Sequence, residues 1–213
     1  CLQAGAQLGM RVIVVRGALQ AALQHHDDLH SELGTCLQTV DLALATNDTA
    51  GARRRLDAAV ALHARTGADS LQGRELAVLR VHGLLAEGDA AQALQQAQHE
   101  LADAQTRRVH EHGLLLLAAA QAALDLGRRD LAGPWLAQAQ AMPGPSQQLQ
   151  ARELAVRLHH ARCGGEPLAA AARAARDWLS QPVLPVLEAR QLQAVLLDRR
   201  PGDGESASHP APG

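Results

Sequence analysis

The chain contains no Phe and no Tyr, and only Trp135 and Trp178 are aromatic. Single-stranded nucleic acid is gripped largely by rings on which bases stack, so that mode of binding is excluded for want of a platform. Lysine is missing too: all twenty basic residues are Arg, set against 22 acidic ones. The net charge of -2 and a pI near 6.6 give no electrostatic pull toward a phosphate backbone, and we expect no direct nucleic-acid partner. Long apolar runs are also wanting. The longest, Leu114 to Leu124 interrupted only by Gln121, is too short to span a bilayer and runs into Asp125, so it reads as a buried helix. Cysteine is scarce, and Cys1, Cys36 and Cys163 have no C-x-x-C spacing and leave one unpaired in any disulfide scheme. They are expected to be reduced thiols in a cytoplasmic protein. The sequence shows no phosphate loop, no nucleophile paired with a base and no metal set, so we expect a non-enzymatic protein without cofactor or metal.

What is present is repetition. Apolar residues make up 47% of the 213, ample for a buried core, and the stretch Gly88 to Glu100, GDAAQALQQAQHE, has the marks of a helix start. Asp89 can cap it, with Gln92 three residues on in a D-x-x-Q capping box, while Ala93 and Ala97 share one face. Gly88 breaks the preceding helix, so residues 70 to 107 read as an antiparallel helical hairpin. Setting Gly88 beside Asn47, Gly127 and Gly165 and counting five residues forward gives Ala52, Ala93, Ala132 and Ala170. Four residues further lie Leu56, Ala97, Leu136 and Ala174, so the same face of each second helix is small or apolar, as close helix packing requires.

These segments, GDAAQAL and LGRRDLAGPWLAQA above all, resemble the turn and second helix of tetratricopeptide repeats, over about residues 33 to 179. The resemblance implies an all-α fold: a right-handed α-solenoid of antiparallel helical hairpins with a period of about 34 residues or somewhat more. It also implies an interaction or effector-sensing arm of a larger bacterial regulatory or signalling protein. Its first helices would line a concave face that takes a protein or peptide segment, or a small effector.

Taken in order, residues 1–30 form an N-terminal segment expected to be helical and truncated, since the first residue is Cys rather than Met. Within it Val12 to Val15 is a β-branched run that reads as helix or as a short strand. Residues 31–199 hold about four hairpins and a C-terminal capping helix opened by Pro182 and Pro185. Pro134 is expected in the first turn of its helix and Pro167 at the first helical position, where the missing N–H is tolerated. Ser146 is expected to cap the helix running to Arg162. Residues 200–213, RPGDGESASHPAPG, have the composition of a disordered tail.

Six residues before each turn residue stand Asp41, His82, Gln121 and His159, all polar. Four residues before these come Leu37, Val78, Leu117 and Ala155; three after come Leu44, Leu85, Leu124 and Arg162. Helical spacing sets them on one stripe, so the expected partner-binding face is an apolar band carrying a polar ladder: Leu37, Asp41, Val78, His82, Leu117, Gln121, His159 and Arg162. An alternative at the same positions is that the polar residues merely face solvent.

Other patterns imitate chemistry. His26 and His30 stand one helical turn apart, a spacing that can hold Zn²⁺, but no further ligands are specified. H-D-D-L around His26 resembles the phospho-acceptor box of sensor histidine kinases, which would make the segment a dimerising phospho-acceptor; no nucleotide-binding half accompanies it. A lipidated Cys1 would instead make a periplasmic lipoprotein scaffold. Arg74 to Arg80 resembles the opening of a LuxR-type helix-turn-helix, yet DAAQALQQAQ carries no basic recognition face.

Overall fold

In a computed structural model, residues 29–66, 71–102, 109–182 and 184–197 are described. The expectations attached to Cys1, the run at 12–15, His26 and the tail at 200–213 lie outside the described residues. Among the described residues there are nine α-helices and no strand: α1 Leu29–Ala45, α2 Thr49–Thr66, α3 Leu71–Ala86, α4 Ala90–Ala102, α5 Val109–Asp125, α6 Arg129–Gln140, α7 Gln147–Arg162, α8 Leu168–Leu179 and α9 Val186–Leu197. The all-α class is therefore as expected, and none of these helices is long and apolar enough to cross a membrane.

Four turns built alike punctuate the chain. α1, α3, α5 and α7 each run into a residue in the left-handed region, Asn47, Gly88, Gly127 and Gly164, with φ of 57°, 81°, 72° and 82°. At each, the N–H of that residue returns to the carbonyl three residues back, and the next N–H returns five back: Asn47 to Leu44 and Asp48 to Ala43, Gly88 to Leu85 and Asp89 to Leu84. The same pair joins Gly127 to Leu124 and Arg128 to Ala123, and Gly164 to Ala161 and Gly165 to His160. This double bond satisfies carbonyls a helix end leaves bare, and glycine or asparagine is the residue that adopts the conformation at least cost. Asp48 and Asp89 then accept the N–H of Gly51 and Gln92 at 2.9 and 3.0 Å, capping α2 and α4.

The fourth turn corrects the sequence reading. Its left-handed residue is Gly164, not Gly165, and Gly165 and Glu166 are extra residues before Pro167, which stands at the cap of α8 rather than inside it. The buried alanine of the fourth hairpin is consequently Ala171, and Ala170 is exposed. Ala52, Ala93, Ala132 and Ala171 each follow the residue that opens their helix by four and are at most 1% exposed. Ala175 replaces Ala174 at the next position for the same reason. Pro134 lies inside α6, past its first turn; it removes one backbone bond on an exposed edge where water can replace it. Ser146 caps α7 as expected, accepting the Leu149 N–H at 3.2 Å.

The helices pack in two rows. α1, α3, α5, α7 and α9 lie side by side in an inner row, each touching the next, while α2, α4, α6 and α8 each bridge two neighbouring inner helices from outside. α9 also reaches α1, so the inner row bends back toward its own start. α5, with α3, α4, α6 and α7 around it, is buried along nearly its whole length, which is why Leu114 to Leu124 is apolar except at Gln121. Gly113 lets α5 approach closely: a Cβ there would stand 2.8 Å from Leu149 of α7. Separate apolar clusters form at the two ends, one around Leu33, Leu37 and Val40, the other around Leu158, Ala171, Trp178 and Leu192.

Candidate functional site

The inner row faces a cavity of about 660 Å³ to which all five inner helices contribute. Its walls include Asn47 just past α1, Leu85 of α3, Leu117 and Gln121 of α5, Val156 of α7 and Val195 of α9. A smaller cavity of about 310 Å³ adjoins it toward the opposite ends of α3 and α5, and His82 and Arg152 line both. The larger volume is in the range of pockets that enclose small ligands or a side chain or two of a peptide.

Arg152 of α7 forms the partition. Its Nη1 lies 3.2 Å from Nδ1 and 3.3 Å from Nε2 of His82, and its Nη2 donates to Asp41 Oδ1 at 3.5 Å. A guanidinium has only donors and a fixed positive charge, so its approach to both ring nitrogens favours the neutral imidazole over the protonated one. Withdrawal from water, and then the positive charge of Arg152, hold His82 well below the usual histidine range. One Arg thus ties together three inner helices, α1, α3 and α7. A second polar knot lies at the other side of the larger cavity. The Gln121 amide donates to Asp125 Oδ1 at 2.9 Å and meets His159 Nδ1 at 2.7 Å, with His159 also 3.6 Å from Asp125.

The structure distributes the expected face unevenly. Asp41, His82 and Gln121 line the cavities, and Val78 and Leu117 form wall beneath them although each is at most 3% exposed. His159 is 9% exposed and joins the ladder through Gln121. It does so from a different turn position: Leu158, not His159, stands six residues before Gly164, and Leu158 is in the core. Leu37 is 0% exposed in the N-terminal cluster, so its place on a contact face is corrected; a partner would have to open the core to touch it. Arg162 is likewise turned to another task, since its Nη2 donates at 2.7 Å to the carbonyl of Val195, in the last turn of α9, where no intrahelical N–H remains.

The residue that sequence reasoning missed is Arg152. It lies on the stripe Arg152, Ala155, Val156, His159, and following that stripe two turns back from His159 would have found it. Glu75 and Glu111 were missed for the same reason, one on the stripe of Val78 and His82, the other on that of Leu114, Ala118 and Gln121. Glu75, although exposed, titrates higher than an ordinary carboxyl, first through partial withdrawal from water and then through the negative charges of Asp41 and Glu111.

Comparison with known proteins gives no significant match to any family model, curated protein or solved structure. Function is therefore read from the geometry of the chain itself. Among the described residues no group of three or more His, Cys, Asp or Glu is placed to hold a metal ion. Cys36 and Cys163 are both free thiols, and burial pushes the Cys36 thiol up, away from the reactive thiolate.

Proposed function

We propose that this chain is a tetratricopeptide-like helical-repeat module, a non-catalytic part of a larger regulatory or signalling protein, and that it holds a peptide segment in the cavity on its inner face. The observation that carries the reading is that a single cavity of about 660 Å³ draws lining from every inner helix. A ligand there touches the first hairpin and the last helix at once, which is how a repeat array turns many weak contacts into one site. Two sets of inner polar groups support a holding role by bracing the walls, Arg152 with His82 and Asp41, and Gln121 with Asp125 and His159. Rigid walls of this kind reduce the ordering entropy that binding must overcome.

The test is selection of binders from a random dodecapeptide display library, followed by affinity measurement on the purified chain. His82→Ala and Gln121→Ala are expected to weaken the selected peptides while leaving the helical circular-dichroism spectrum intact. Binders indifferent to both substitutions would move the contact face elsewhere, and scattering from a compact dimer would count against a repeat array.

A further inference from the structure

The smaller cavity differs from the larger one in charge. Three carboxylates line it, Asp41, Glu75 and Glu111, against one guanidinium, Arg152, with His110 and Gln148 as further polar lining. His82, which also lines it, adds no charge near neutral pH because it is held in its neutral form. Arg152 is already engaged by Asp41 and His82, and neither Glu75 nor Glu111 has an ion pair among the described residues. Glu111 is only 9% exposed, and its Oε2 is fully buried without a hydrogen-bond partner among the described residues. Leaving a carboxylate oxygen buried and unpaired is costly, and Glu111 lines a cavity from which a cationic group can approach its carboxylate.

The rest of the lining narrows what that something is. A metal ion needs several ligands converging on a point, and no such group exists among the described residues. The acids instead sit among Val78, Leu79 and Leu114. A cavity of about 310 Å³ with an apolar wall and scattered carboxylates matches a group with a methylene stem and a cationic head. From charge complementarity and this lining, we infer that the smaller cavity receives the basic side chain, arginine or lysine, of the bound peptide segment, with Glu111 and Glu75 as its counter-charges. The inference rests on the proposed function and names the chemistry of its ligand.

The experiment sorts the display-selected dodecapeptides by composition and measures binding of one of them, and of agmatine as a small probe carrying a guanidinium and an ammonium on a methylene stem, to wild type, Glu111→Gln and Glu75→Gln. The inference expects selected peptides enriched in Arg or Lys. It expects each Gln variant to weaken both probes about tenfold, the loss of one hydrogen bond to a charged group. Glu75→Gln changes an exposed residue and keeps the test sound if Glu111→Gln alters the fold. Binders without basic residues, lost with Gln121→Ala but unaffected by both Gln variants, would overturn this inference and leave the proposed function standing. Agmatine binding without any peptide binding would overturn the peptide source. No binding of either kind would overturn both readings.

Discussion

The inner and outer rows of helices are made of much the same residues and do opposite things with them. In the outer row alanine fills the buried face of each helix: Ala52, Ala93, Ala132 and Ala171 are all but inaccessible, and Ala97 and Ala175 follow one turn later. A methyl group fits where helices pack closely. In the inner row buried leucine and valine stand beside buried alanine, as at Ala118 to Ala120 of α5, and the edge toward the cavities holds Asp41, His82, Gln121 and Arg152. The inner row bends until α9 meets α1, which brings its polar edge around the larger cavity.

Several substitutions would break or sharpen that contrast. The largest effect is expected in the inner row: Leu115→Ala, at a fully buried position of α5, should cost about 2–5 kcal/mol in chemical denaturation, because neighbours on every side cannot all collapse into the hole. In the outer row the damage comes from adding volume. Ala171→Leu should cost about 1–3 kcal/mol, whereas Ala170→Leu, one residue away and exposed, should stay within about 0.5 kcal/mol. Equal costs at the two positions would refute the shifted register of the fourth hairpin. At the turns that join the rows, Gly127→Ala forces a side chain into φ of 72° and should cost about 1–2 kcal/mol.

The pH dependence comes from His82. Its folded form resists protonation, while the unfolded residue accepts a proton near its ordinary pKa of about 6.5. Lowering the pH through that value therefore favours the unfolded chain, and stability should rise with pH across the window just below it. Glu75 and Glu153, both raised, act with the opposite sign above the ordinary carboxyl range, so the comparison needed is wild type against His82→Gln. The difference between the two curves should show the histidine slope, and a flat difference would remove the neutral His82 from the account. The smallest effect is expected at the rim: Arg53→Ala breaks a 3.5 Å pair with Glu87 whose arginine is 70% exposed, and should change stability by less than about 0.5 kcal/mol.

Much of the fold was legible because it is local. Glycine or asparagine in the turns, aspartate after the first two, serine at 146 and the apolar run at 114–124 act through bonds a few residues long or through burial of one helix, and the chain states them directly. The extra Gly165-Glu166 was misread because either glycine of a Gly-Gly pair can take the left-handed position, and only the path of α8 selects one. The site was half legible. Asp41, His82 and Gln121 follow from counting back from the turns, and Leu37 was wrongly included because spacing gives the face of a helix but not how deep its neighbour covers it. What only the tertiary structure decided is the role of Arg152. Its partners lie 70 and 111 residues earlier in the chain, and a side chain that long reaches them only when three helices stand at the right rotation and distance. Helix ends are set by neighbours along the chain, and a cavity by helices that sequence order does not place together.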